Sequence, residues 1–107
     1  MTLQSITQQQ YRERLNMSGV SVIEFGAVWC PPCKQLSPLL HELAGEYGPA
    51  VSFAQVDVDE SPELASELGI MGMPTVIVYR DGQPMDRLVG LRPKDAYRTV
   101  IQRTLQQ

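Results

Sequence analysis

Glu24-Phe25-Gly26-Ala27-Val28-Trp29-Cys30-Pro31-Pro32-Cys33-Lys34 places two cysteines two residues apart, where a strand pattern gives way to a helix pattern. On its N-terminal side, Val20 to Phe25 is a short apolar run carrying Val, Ile and Phe, which suits a buried strand. On its C-terminal side, from Lys34 to Tyr47, the apolar residues are Leu36, Leu39, Leu40, Leu43, Ala44 and Tyr47. That is helical spacing, and Gly48-Pro49 is a stop signal. Pro38 lies inside this helix and is expected to kink it.

Outward from this segment the signals alternate. Thr7 can cap a first helix with Tyr11 and Leu15 one turn apart, and Ser18-Gly19 ends it. Val51 to Val58 reads as a strand. Ser61-Pro62 opens a short helix as N-cap and first helical residue, and Gly69 closes it. Thr75-Val76-Ile77-Val78-Tyr79 has the strongest strand composition in the chain. Asp81-Gly82 follows as a hairpin turn, then Met85 to Val89 as the return strand. Pro93 begins a last helix with Ala96, Tyr97, Val100, Ile101 and Leu105 on one stripe. The order is α, β, α, β, α, β, β, α, with a further short strand possible at Leu3 to Ile6. Strands separated by helices imply a parallel sheet core, and the hairpin adds an antiparallel edge. The expected class is α/β: a central mixed sheet of four to five strands with helices on both faces.

The chain has 107 residues, 43% of them apolar, and a formal net charge of -3. This is enough for one compact domain, taken as residues 1–107. No run of Lys or Arg supplies the basic footprint that nucleic acid needs. No apolar run approaches the roughly 20 residues that span a bilayer. Met1-Thr2-Leu3-Gln4-Ser5 lacks the basic region and apolar stretch of a signal peptide, so a cytoplasmic protein is expected. A chain whose leader had already been removed would read the same way.

There are only two cysteines. A disulfide scaffold needs more, spread further, and closing so short a loop removes little unfolded-state entropy. The pair is placed poorly for stability and well for chemistry. A helix N-terminus carries partial positive charge and unpaired N–H groups, both of which favour a thiolate, the nucleophilic form. Cys30 is expected at the helix mouth, where a partner disulfide can reach it, with Cys33 one turn further in and buried. On that asymmetry Cys30 attacks and Cys33 resolves the mixed disulfide. Two buried thiols would undo this assignment, which rests on the difference in exposure. A metal site is the competing assignment, but zinc wants four ligands and only His41 stands near the pair in sequence.

A Cys-X-X-Cys pair beside a β-α-β pattern is a mark of thioredoxin-like proteins, and here the resemblance extends over almost the whole chain. Glu24 to Lys34 resembles the thioredoxin active-site segment. Pro38 is similar to the family's kinking proline, Asp57-Val58-Asp59 to its Asp-Val-Asp strand end, Met73-Pro74-Thr75 to its Pro-Thr signature, and Gly90 to the glycine before its last helix. The resemblance implies a thioredoxin fold and reversible oxidation of the Cys30/Cys33 dithiol in protein-disulfide reduction.

The chain also departs from the family. Pro31-Pro32 stands where Gly-Pro is usual, as in tryparedoxin- and nucleoredoxin-like members. Pro31 has no N–H to offer the Cys30 sulfur and stiffens the loop, so a redox potential and a Cys30 acidity different from the Gly-Pro form are expected. Glu24 matches the family's buried Asp. Burial raises a carboxyl's pKa, and such a group near Cys33 can take its proton, directly or through water. A solvent-facing strand residue or a satisfied structural carboxyl is the alternative. Gln55 matches a position where the family often has Lys, so charge coupling there is absent. Gly26 replaces an aromatic, which implies a groove more open at that point.

By the same resemblance, Met73-Pro74 is a cis-proline site facing the cysteines, where a substrate segment can pair with the Met73 backbone as an added strand. Trp29 is read as a groove wall, with Pro31, Pro32, Gly72 and Gly90 completing the substrate-binding rim; the glycines allow close backbone approach or serve as turns. Lys34 and His41 read as helix-surface residues. No Gly-rich nucleotide fingerprint is present, so no bound cofactor is expected beyond the Cys30–Cys33 disulfide. Electrons are expected from a separate thioredoxin-reductase-like flavoprotein, the clients are disulfide-containing proteins, and a monomer is expected. The rival readings are a groove-binding subunit without redox turnover, a metal or iron–sulfur module shared by two chains, and an oxidase or isomerase, since direction follows relative potentials.

Overall fold

The structure, a computed structural model, describes residues 3–107; Met1 and Thr2, part of the segment tested for a leader, lie outside them. The elements in order are α1 (Gln8–Arg14), β1 (Val20–Gly26), α2 (Pro31–Tyr47), a 3-10 turn (Gly48–Ala50), β2 (Val51–Asp57), α3 (Pro62–Glu67), β3 (Thr75–Arg80), β4 (Gln83–Val89) and α4 (Lys94–Leu105). The sheet is four-stranded and mixed, ordered β2-β1-β3-β4. Among the described residues no helix is long and apolar enough to cross a membrane.

Alternation along β1 sorts its side chains to two faces. Val20 and Val22 join Leu36, Leu40 and Leu43 of α2 and Tyr97, Val100 and Ile101 of α4 in one core. Ile23 and Phe25 join Tyr11 of α1 and Leu64 of α3 in a second core on the opposite face. Each face of the sheet is thus covered by two helices. Glu24 and Gly26 fall on the face under α2, in step with Val20 and Val22.

The sheet corrects the expectation of a parallel core. β1 and β2 are parallel, but β3 runs antiparallel to β1 and β4 antiparallel to β3. The chain re-enters the sheet at the end it left, and Thr75 pairs with Phe25. The possible strand at Leu3 to Ile6 is reduced to one bridge between Ser5 and Gln55, fixed by Ile6 N–H to Gln55 O at 2.8 Å and Gln55 N–H to Gln4 O at 2.9 Å.

Local chemistry explains the ends of the elements. Thr7 and Gln10 form a reciprocal cap at the start of α1. That helix stops at Arg14, short of Ser18-Gly19, because Asn16 and Met17 turn their N–H groups to the carbonyls three residues back. Ser61 precedes Pro62 as expected but makes no side-chain capping bond. The last helix begins at Lys94, with Pro93 as its N-cap. Asp81 and Gly82 both have positive φ, 52° and 81°, which is the twist a two-residue hairpin requires.

Candidate active site

The helix of the cysteine segment begins earlier than its apolar spacing indicated, at Pro31. Two prolines at its head are tolerated because their missing N–H groups would have had no helical partner. Cys33 therefore brings the first N–H of α2, and it donates to Cys30 Sγ at 3.4 Å. Cys30 is the N-cap residue, its sulfur in the place of a capping oxygen. Both thiols are free.

The expected difference in exposure is overturned. Cys30 is 4% exposed and Cys33 6%. Capping turns the Cys30 side chain inward, where it clusters with Cys33 and Ala27, and Val58 and Met73 pack against the cluster. The exposed residues at the mouth are the neighbours: Val28, Trp29 and Pro31. What separates the two sulfurs is the company they keep, not their distance from water.

Glu24 is a charged neighbour of Cys33. It is 4% exposed in the middle of β1, and burial pushes its pKa up to about 7. Its carboxylate and the Cys33 sulfur close on the same point above Gly26: a Cβ there would stand 2.5 Å from Glu24 Oε2 and 2.8 Å from Cys33 Sγ. Burial first, and the hydrogen bond with Cys30 second, push the Cys33 thiol up to about 12.

Beneath α2 these groups line a cavity of about 560 Å³, walled by Glu24, Gly26, Cys33 and Ser37 and, from β2, Gln55 and Asp57. Gln55 sits beside Glu24 in register. The open space expected from Gly26 thus faces this cavity instead of the outer groove. The hydroxyl of Ser37 is buried without a protein partner among the described residues. Nothing in the sequence marked that serine.

The rim is assembled by the antiparallel return of β3. Met73-Pro74 is cis and lies just before Thr75, which pairs with Phe25 at the C-terminal end of β1. Met73 is half-buried against the cysteine cluster. Gly90 has φ of 83° and donates its N–H to Pro74 O at 2.7 Å. Gly72 is a close approach: a Cβ there would meet Val89 Cγ1 at 2.9 Å. Trp29 is 60% exposed and its indole N–H donates to Asp59 Oδ2 at 2.6 Å. Asp59 entered the sequence reading only as part of a strand end. Met71, 96% exposed beside Gly72, was not singled out at all. Lys34 is exposed, and His41 lines a separate hollow with Leu3, Ala44 and Phe53.

A Cys-Pro-Pro-Cys dithiol at the head of a helix, on a mixed sheet with its X-Pro segment on the same rim, defines a thiol–disulfide oxidoreductase of the thioredoxin fold. The family model described as thioredoxin matches residues 2–103. The thioredoxin of Staphylococcus saprophyticus is 39% identical over 105 residues, covering 98% of this chain and all of that one. Among solved structures, mitochondrial thioredoxin 3 from Saccharomyces cerevisiae in its oxidized form superposes with a TM-score of 0.86 at 34% identity, over 94% of each chain. A chloroplastic thioredoxin z gives 0.91 at 26% identity, over 100% of this chain and 97% of that one. The chain belongs to the thioredoxin family. It is a protein-disulfide reductase, and the closely spaced Cys30 and Cys33 are its redox-active dithiol.

Proposed function

We propose that Cys30 is the attacking thiol, Cys33 the resolving thiol and Glu24 the acceptor of the Cys33 proton. The observation that carries this division is the convergence of Glu24 Oε2 and Cys33 Sγ above Gly26. A base beside one sulfur and a helix N–H aimed at the other suit two different tasks.

The Cys30 thiolate attacks one sulfur of a client disulfide. A Cys30–client bond forms, and the other client sulfur leaves as thiolate. With a thiol at about 12, Cys33 stays protonated near neutral pH and needs a base. Once Cys30 is tied up in the mixed disulfide, its share in holding that proton is gone. Ionised Glu24 then takes the proton, the Cys33 thiolate attacks Cys30 Sγ, and the second client sulfur departs. The chain is left with the Cys30–Cys33 disulfide and the client with two thiols.

Trp29, Pro31, Pro32, Gly72, Met73, Pro74 and Gly90 form the client-binding rim, with an extended client segment pairing to the Met73 backbone. The protein works as a single cytoplasmic domain over residues 1–107, as a monomer, on disulfide-containing clients. It carries no cofactor besides its own disulfide and is recharged by a thioredoxin-reductase-like flavoprotein.

The roles are tested with a model protein disulfide and a dithiol reductant. Cys30→Ser should abolish reduction without forming any covalent adduct. Cys33→Ser should accumulate the mixed disulfide through Cys30. An adduct formed through Cys33 in the Cys30→Ser variant at the wild-type rate would reverse the assignment.

A further inference from the structure

Resting on the role given to Glu24, we infer that Gly26 is a positioning residue: its missing side chain is the space that the Glu24 carboxylate and the Cys33 thiol both border, without a direct hydrogen bond between them in the resting structure. Glu24 and Gly26 are two apart on one strand and share the face under α2, so they compete for the same volume. A Cβ at position 26 would stand 2.5 Å from Glu24 Oε2, 2.8 Å from Cys33 Sγ and 3.3 Å from Cys33 Cβ. The first two are well inside van der Waals contact, so any other residue displaces one of the two groups.

The group that yields is the carboxylate. Cys33 belongs to the first turn of α2, and its N–H is bound to Cys30 Sγ. The Glu24 carboxylate has no hydrogen-bond donor among the described residues, and it borders a cavity of about 560 Å³ into which it can swing. A substitution at Gly26 therefore has room to be accommodated, at the expense of the Glu24–Cys33 approach. Side-chain length ties the two positions together. Glutamate carries its carboxylate one methylene further than aspartate, into the volume that glycine leaves empty, and a shorter acid would withdraw from it.

The experiment follows thiol release from a preformed mixed disulfide between Cys30 and a chromogenic thiol, across pH 5 to 9, beside the rate of first attack. Wild-type release should rise through the Glu24 titration. Gly26→Ala should lower the ratio of release to first attack by about tenfold or more, as expected for a misplaced base, and flatten the pH profile as Glu24→Gln does. Adding Glu24→Asp to Gly26→Ala should restore most of the ratio and the profile. If Glu24→Gln slows release while Gly26→Ala keeps the wild-type ratio and profile, the positioning role is overturned and the base role stands. If Glu24→Gln itself changes nothing, the base role fails and this inference with it. Should Gly26→Ala prove too unstable to assay, removal of the acid in Glu24→Ala/Gly26→Ala must restore stability; failure to do so would show that Glu24 is not the displaced group.

Discussion

Trp29 donates its indole N–H to Asp59 Oδ2 at 2.6 Å, so a mostly exposed ring at the mouth of the dithiol is tethered to the segment that follows β2. The tether fixes an amphipathic surface where a client would lie, and it couples the β1–α2 connection to the β2–α3 connection. The Asp59 N–H is itself held by Asp57 Oδ1 at 2.8 Å, which keeps the acceptor in place.

Asp59→Ala should release the ring. Trp29 is the only tryptophan, so steady-state fluorescence anisotropy reports on it alone. Anisotropy should fall, and client reduction should slow by a factor of about 2 to 10, in line with the loss of one net hydrogen bond of roughly 1 kcal/mol. Unchanged anisotropy would mean that packing alone holds the ring.

Glu24 should make stability depend on pH. Its pKa rises from the ordinary carboxyl value of 4.5 to about 7 on folding, so the native state holds the proton more tightly than the unfolded chain. That preference is fully present below pH 4.5 and is lost as the pH climbs through about 7. The loss amounts to about 3 kcal/mol at most. Urea unfolding at pH 5 and pH 8 should show the fall in the wild type and its near absence in Glu24→Gln. Parallel behaviour of the two would show that the carboxylate is effectively solvated.

Met73 packs over the cysteine cluster, and Cys30 is only 4% exposed. Met73→Ala should therefore speed the reaction of the reduced protein with a bulky aromatic disulfide reagent, by about threefold or more. The methionine's buried area argues for a sizeable effect. Equal rates in the two proteins would place the barrier to entry elsewhere.

Pro31 and Pro32 leave Cys33 as the sole N–H donor within the loop to Cys30 Sγ. Pro31→Gly adds a donor and loosens the loop. The first change favours the reduced form, and the second weakens closure of the disulfide. Both act in the same direction, so the reduction potential should rise by roughly 30 mV, the equivalent of about 1.4 kcal/mol. Equilibration against a glutathione buffer measures it, and an unchanged or lower value would defeat the argument.

The dithiol, the helix behind it, the buried acid and the X-Pro segment were legible in the sequence because each leaves a local pattern. Cys-X-X-Cys precedes a stripe of leucines. Glu24 interrupts an apolar strand. Met73-Pro74 abuts the run from Thr75 to Tyr79. What could not be read depended on distance through space. The direction of β3 follows from the end of the sheet at which the chain re-enters it, which periodicity does not record. The burial of Cys30 follows from its sulfur acting as the cap, an atomic choice invisible to composition. Gly26 was noticed as a missing aromatic, yet the direction it opens became clear only once Glu24 and Cys33 were seen converging on it.

The antiparallel return of β3 has a kinetic corollary. Because the Cys30–Cys33 turn and the Met73–Pro74 segment share one rim, the proposed client and the proposed electron donor would take the same berth in turn. On the opposite rim the hairpin at Asp81-Gly82 closes against Gly19. Turnover should therefore follow a double-displacement pattern, with parallel reciprocal plots when donor and client are varied together, and each should act as a competitive inhibitor of the other at high concentration.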